Sequence, residues 1–211
     1  MVKEVELDAK AQKPVLIVVM GVCGTGKSTL GGALAEALSM PLIEGDEMHT
    51  KAAVAKMASG QPLTDIDREP WLQLIRTTAE HMSVEQSHDP SKSVDIRRGV
   101  IVTCSALKRY YRDILRGTYV PPNGVPNHLE PPELDRLPTY FVYIKGERQL
   151  LLDRMEKRKG HYMKASMLDS QLAILESPEG EDGVVVVSSE DSTEEQMHMA
   201  LGELKTLAGI V

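Results

Sequence analysis

The run Gly21-Val22-Cys23-Gly24-Thr25-Gly26-Lys27-Ser28-Thr29 carries the clearest chemistry in the chain. Its spacing is G-x-x-x-x-G-K-[ST]. Glycines without a Cβ let the backbone fold tightly enough to aim several N–H groups at one anion. Lys27 adds a point charge for β and γ phosphates, and the Ser28 hydroxyl is a ligand for Mg²⁺. A second group follows at Glu44-Gly45-Asp46-Glu47-Met48-His49. An acid just past a strand end can orient an acceptor hydroxyl and take its proton, or hold Mg²⁺ through water. Asp46 is assigned the first role and Glu44 the second, with Gly45 turning the chain between them. The competing reading of Asp46 is a cap on the helix that follows.

Those groups need a frame. The apolar run Val15–Met20 ahead of the glycines reads as a buried parallel strand. Behind them Leu30, Leu34 and Leu38, with Ala33 and Ala37, fall at helical spacing. Strand, glycine loop, helix is the order required, because the helix N-terminus also faces the anion. Further strands are predicted at Pro41–Glu44, Val100–Cys104, Tyr140–Lys145 and Val184–Val187. Helices are predicted at Ser28–Leu38, Glu47–Ser59, Pro70–Met82, Leu107–Arg116, Glu147–Lys157, Ala165–Glu176 and Thr193–Leu207. This alternation predicts an α/β domain, a parallel sheet with helices on both faces. Residues 1–13 read as a flexible tail and 14–211 as one domain with two insertions. The first, 83–98, is polar and without period. The second, 118–138, holds Pro121, Pro122, Pro126, Pro131, Pro132 and Pro138 and reads as an extended surface loop.

Composition narrows the class. A net charge of −7 over 211 residues argues against nucleic acid as a partner, so any anion site is a local basic cleft. The tail has no apolar core for a signal peptide, and no run is long enough to span a bilayer. Cys23 and Cys104 are too few for a disulfide scaffold, which points to the reducing cytoplasm. No Asn/Thr-Lys-x-Asp base-reading motif of a G protein occurs. The strand Gly99–Thr103 runs into Cys104-Ser105, not into the Asp expected of motor or AAA-type ATPases. That favours a small kinase, with its acceptor beyond the carboxyl ends of the strands.

Several longer blocks carry a resemblance. They are the glycine loop, Gly45-Asp46-x-x-His49, Lys56-Met57-x-x-Gly60-x-Pro62-Leu63-x-Asp65-x-Asp67-Arg68-x-Pro70-Trp71-Leu72, and Cys104-Ser105-Ala106-Leu107-Lys108-Arg109-x-Tyr111-Arg112-Asp113. Gly160-His161-Tyr162, Ser170-Gln171 and Leu175-Glu176-x-Pro178 extend them. Over most of residues 15–187 the chain resembles the gluconokinase family. The resemblance implies a three-layer P-loop kinase fold related to shikimate and adenylate kinases, a five-stranded parallel sheet of order 2-3-1-4-5, and a lid over about 154–165. It also implies ATP and Mg²⁺ as cofactors, D-gluconate as substrate, 6-phosphogluconate as product, and a homodimer. The chain departs from the family pattern at Cys23 for Ser, Thr50 for Pro, Ala53 for Asn and Tyr162-Met163 for Phe-Phe. The Ala53 change puts an amide contact to substrate in doubt.

An aldonate has a carboxylate at one end and a primary alcohol at the other. Its pocket needs a cationic clamp, hydrogen-bonding side chains and an acid near the alcohol. Arg68, Lys108 and Arg109 are candidates for the clamp, Lys56 for a further contact, and His49 and Gln171 for hydroxyl partners. The plainer readings are a salt bridge from Arg68 to Asp65 or Asp67, and a solvated helix start for Lys108 and Arg109. Trp71 reads as core packing. By similarity to related kinases, Arg154 flanks adenine and Arg158 reaches the transferring phosphoryl group. The alternative is a solvated basic face paired with Glu147, Asp153 or Glu156. The stretch Ser177–Asp182 is expected to contact the adenine edge. The two cysteines, near the phosphate site, invite a lowered thiol pKa and redox sensitivity. Competing functions are a sibling kinase acting on another polyol acid or a shikimate-like alcohol, and a non-catalytic nucleotide-binding regulator.

Overall fold

The fold is built around β1 (Val15–Met20), whose residues are all fully buried. In the computed structural model, residues 13–88, 98–122, 137–157 and 165–209 are described. The expected tail apart from Lys13, residues 123–136 of the proline-rich stretch, and residues 158–164 of the expected lid lie outside them. β1 pairs in parallel with β3 (Gly99–Thr103) on one side and β4 (Thr139–Lys145) on the other. β2 (Leu42–Glu44) lies outside β3 and β5 (Val184–Ser188) outside β4. The sheet order is therefore β2-β3-β1-β4-β5, as the resemblance implied.

Strand periodicity sorts the core into two layers. Leu16, Val18 and Met20 face a cluster with Trp71, Leu72, Ile75, Tyr111 and Leu115. These come from α3 (Asp65–His88) and α4 (Arg109–Arg116). Val15, Ile17 and Val19 face Leu30 and Leu34 of α1 (Lys27–Leu38) and Ala200 and Leu204 of α7 (Thr193–Ala208). With both faces covered, the strand reads as an unbroken apolar run. α5 (Arg148–Lys157) and α6 (Ala165–Ile174) pack Leu151 and Leu168 against Val22 and Cys23 in a third cluster.

Two expected helices differ from those found. The helix expected over Glu47–Ser59 is broken. A 3₁₀ turn covers Gly45–Met48, His49 is extended, and α2 (Lys51–Ala58) starts afresh. Thr50 caps it, its hydroxyl accepting from the Ala53 N–H at 3.2 Å. The cap of this helix is thus Thr50 and not Asp46. The helix expected over Pro70–Met82 runs instead from Asp65 to His88. Proline suits a first helical turn, but a capping box upstream begins the helix earlier. The Asp67 carboxylate accepts from the Thr64 N–H and hydroxyl, both at 2.7 Å, and the Asp67 N–H donates back to that hydroxyl at 3.4 Å.

At the other end Ser83–His88, read above as the start of an insertion, completes α3. Two of its polar residues, Ser83 and Gln86, are buried and satisfied. Ser83 Oγ donates to the Ala79 carbonyl at 2.7 Å. The Gln86 amide exchanges two 3.0 Å hydrogen bonds with the Gly99 backbone, tying α3 to β3.

Asp67 does further duty by accepting Lys56 Nζ at 2.6 Å, which ties α2 to α3. The Lys56 ammonium, then the Thr64 N–H and hydroxyl, hold its carboxyl well below the usual carboxylate range. A carboxyl with a depressed folded pKa stabilises the fold above its unfolded pKa and loses that contribution as pH falls toward the folded one. Asp67→Asn is therefore expected to lower Tm at pH 7. The gap to wild type should shrink once the pH drops below about 4, where the unfolded aspartate begins to protonate. Thermal melts across pH check this, and a gap independent of pH would contradict it.

Candidate active site

Gly24 and Gly26 take left-handed φ values of +82° and +98°, which an L side chain rarely adopts. Between them the backbone folds back on itself. The Val22 carbonyl accepts Thr25 Oγ1 at 2.9 Å and Lys27 Nζ at 3.0 Å. Loss of water pushes the Lys27 ammonium pKa down. Asp46 is the largest opposing influence, followed by Cys23, Cys104 and Glu44. Those groups are therefore gathered about the ammonium. A cation short of water and held beside a helix N-terminus is a receptor for phosphate.

Glu44 and Asp46 flank Gly45 at the end of β2. A Cβ on Gly45 would run into the Thr103 carbonyl, so only glycine lets β2 and β3 end this close together. The Glu44 carboxylate accepts Ser28 Oγ at 3.0 Å and Thr103 Oγ1 at 2.5 Å. A hydroxyl and a carboxylate side by side are the hard oxygens that Mg²⁺ takes while keeping most of its waters. The residues present fit that ion. Asp46 is exposed, on the open side of the same turn.

Beside Asp46, His49 stacks on Trp71 with centroids 4.0 Å apart and planes 20° from parallel. Trp71 in turn donates Nε1–H to the Gly45 carbonyl at 2.7 Å. The tryptophan is core, as expected, and also holds the turn that carries Asp46. Burial lowers the His49 pKa, Asp46 opposes this and Arg68 adds to it. The ring is neutral at pH 7, and its buried Nδ1 has no partner among the described residues.

The expected clamp cations separate. Lys108 gives both Asp65 oxygens a 2.8 Å bond, and the Tyr111 hydroxyl also donates to Asp65. Burial alone would raise the Asp65 carboxyl, but Lys108 and Tyr111 outweigh it and hold it low. Lys56 is paired with Asp67. Arg109 is exposed and lines a different groove with Arg112, Arg116 and Glu176, its backbone N–H donating to Glu176 at 2.6 Å. Arg68 pairs with neither Asp65 nor Asp67. It donates to the Leu63 carbonyl and lies 5.9 Å from the centre of the Tyr111 ring, with no carboxylate partner among the described residues. Its charge acts on both His49 and Cys104, which follow the ends of β2 and β3.

Other expectations move. Gln171 is engaged at the glycine loop, where its Oε1 accepts the Cys23 N–H at 2.7 Å. Arg154 donates to the Ser189 carbonyl, just past the end of β5. In Ser177–Asp182, Glu179 pairs with Lys145 at the carboxyl end of β4 at 2.8 Å, next to Ser189. Glu181 of that stretch binds Arg112 at 2.5 Å and Arg116 at 3.0 Å, and the stretch leads into the amino end of β5. The loop at β5's carboxyl end is Ser189–Ser192, the side on which an open α/β sheet takes ligands. Arg158 lies outside the described residues, as do Gly160, His161 and Tyr162. The thiols run opposite to the redox expectation. Burial raises Cys23 despite Lys27, and burial pushes Cys104 up to about 12. Thr103 and Tyr111, which hold Glu44 and Asp65, were not singled out for the site by sequence reasoning.

No family model matches the chain. Among curated proteins, a gluconokinase of Gluconobacter oxydans is 44% identical over 179 residues, 84% of each chain. The thermoresistant gluconokinase of Escherichia coli is 34% identical over 172 residues, 82% of each chain. Among solved structures, a gluconokinase from Sinorhizobium meliloti is 40% identical with a TM-score of 0.70, over 94% of this chain and 95% of that one. The APS kinase of Mycobacterium tuberculosis shares the fold at a TM-score of 0.58 and 15% identity. With identities of this size to gluconokinases, over more than four-fifths of both partners' lengths, the chain belongs to the gluconokinase family.

Proposed function

We propose that this chain transfers the γ-phosphoryl group of ATP to the 6-hydroxyl of D-gluconate, giving 6-phospho-D-gluconate and ADP. The observation that carries the reading is one juxtaposition. Glu44 joins Ser28 of the phosphate-facing helix to Thr103 at the ends of β2 and β3, the turn beyond carries Asp46 and His49, and Arg68 of α3 has no carboxylate partner among the described residues. An acid, a guanidinium open to a carboxylate and an imidazole are what a hydroxy acid requires.

In this reading Gly21, Val22, Cys23, Gly24, Thr25, Gly26, Lys27, Ser28 and Thr29 form the ATP site. Lys27 answers the charge that develops on the transferred group. Arg154 flanks the base, and Arg158 serves the phosphoryl group as the resemblance implies. Asp46 orients the 6-hydroxyl and takes its proton. Arg68 receives the carboxylate in a two-pronged grip, and His49 holds a hydroxyl between the two ends. Lys108 acts through Asp65 and Tyr111, on which Arg68 rests, and Lys56 through Asp67. Ser28 and Glu44 would hold Mg²⁺, which when bound neutralises phosphate charge. Much of the acceleration comes from holding the reactants in line, an effect worth up to ~7–11 kcal/mol. The free, buried cysteines suit a cytoplasmic enzyme. A homodimer belongs to the same proposal on family resemblance.

Purified protein with ATP and Mg²⁺, tested on a panel of aldonates, polyol acids and shikimate in an ADP-coupled assay, is expected to use gluconate best. Preference for another acceptor would favour the sibling-kinase reading. In the same assay Asp46→Asn is expected to lower kcat by about 10²–10⁴ while sparing ATP binding. Unchanged turnover would remove its catalytic role. Arg68→Ala is expected to raise the gluconate KM about ten- to a hundredfold, the loss of a charge-assisted hydrogen bond. A normal KM would show that the carboxylate binds elsewhere.

A further inference from the structure

We infer that Gln171 is a positioning residue for Lys27, acting through the Val22–Cys23 peptide. The inference rests on the kinase reading above but concerns a side chain to which that reading gives no role.

The geometry lies in a single planar unit. The Val22 carbonyl and the Cys23 N–H belong to one peptide group and point in opposite directions. The carbonyl accepts Lys27 Nζ at 3.0 Å and Thr25 Oγ1 at 2.9 Å. The N–H donates to Gln171 Oε1 at 2.7 Å. Gln171 thus holds the back of the peptide whose front holds the ammonium. Rotating that peptide would withdraw its carbonyl from Lys27 and release the ammonium.

Gln171 sits on α6, 148 residues from Cys23 in sequence. α6 is anchored in the same cluster by Leu168, which packs with Val22, Cys23 and Leu151. On the α5 side, Met155 presents its sulfur 3.8 Å from Cys23 Sγ, and a Cβ on Gly24 would lie 3.1 Å from Met155 Cγ. Apolar contacts therefore locate the loop, and the Gln171 amide fixes from outside the loop which way this peptide faces. Such prior orientation spares the loop rearrangement when an anion arrives.

The full-length chain tests this. Gln171→Met keeps the side chain's length and removes the acceptor, while Gln171→Glu keeps an acceptor oxygen. Without nucleotide, amide exchange at Cys23 is expected to speed up roughly five- to tenfold in Gln171→Met and stay slow in Gln171→Glu, the effect of one hydrogen bond. In steady state Gln171→Met is expected to raise the KM for ATP by a similar factor and leave the gluconate KM alone. Unaltered exchange overturns the inference. So does an unchanged ATP KM, which would leave Gln171 a brace for α6. So does a gluconate KM that rises as much as that for ATP, which would return Gln171 to the acceptor. Wild-type protein inactive on gluconate would instead defeat the functional reading, and the exchange measurement, which needs no substrate, would still decide about Gln171.

Discussion

The site depends on the Glu44 carboxylate, which accepts hydroxyls from Ser28 and Thr103 at once. Those three residues belong to β2, α1 and β3, so one side chain ties the start of the phosphate-facing helix to the ends of two strands. The tie forms only because Gly45 lets β2 end against the Thr103 carbonyl. Everything downstream inherits its position from that closure. Asp46 follows on the turn, His49 follows Asp46, and Trp71 locks the turn from α3 by its bond to the Gly45 carbonyl. Hydroxyls alone are weak partners for a carboxylate in a partly dry place, which leaves Glu44 with room for a harder partner.

Charge is then arranged by pairing. The chain is acidic overall, at −7, yet it must receive two anions. It does so by neutralising cations it does not aim at the site and leaving others short of partners. Lys56 and Lys108 are matched by Asp67 and Asp65. Arg112, fully buried, is matched by Glu181. Among the described residues, Arg68 has a carbonyl and a ring face but no carboxylate partner, and Lys27 bonds a carbonyl and no carboxylate. A partly buried cation without a carboxylate carries a desolvation penalty that an incoming anion relieves. Lys27 at the phosphate loop and Arg68 in the first turn of α3 are two cations of this kind.

The contrast between what could and could not be read in the sequence follows from range. The glycine loop and β1 were legible because their signals are local, glycines at fixed spacing after an apolar run. Sheet order came from resemblance, and the structure agrees with it. Asp65 and Asp67 show the limit. They are two residues apart, yet one meets Lys108 across 43 residues and the other Lys56 across 11. Which cation each takes is set by the start of α3, and that start was hidden by Pro70, which imitates a helix beginning. Gln171, expected as a hydroxyl partner, bonds the glycine loop. Its partner is a backbone N–H, a group every residue has, so no side-chain pattern announced it. Ser83 and Gln86 were read as loop because they are polar, while their bonds go to backbone that the sequence does not mark.

The cysteines show how the same surroundings act differently on two kinds of group. Lys27 and a helix N-terminus favour a thiolate, and this is the ground on which redox sensitivity was expected. Burial opposes it and prevails at both thiols. At Lys27 burial also disfavours the charged form, but there the acids Asp46 and Glu44 resist it. The difference is one of sign. Nearby acids help keep an ammonium charged and hinder a thiol from losing its proton, and Asp46 acts on all three groups in that sense. A turn built to set an acid beside a phosphate-binding lysine therefore quiets the thiols next to it. Cys23 is left to pack its sulfur on Met155 and lend its N–H to Gln171, stiffening the loop.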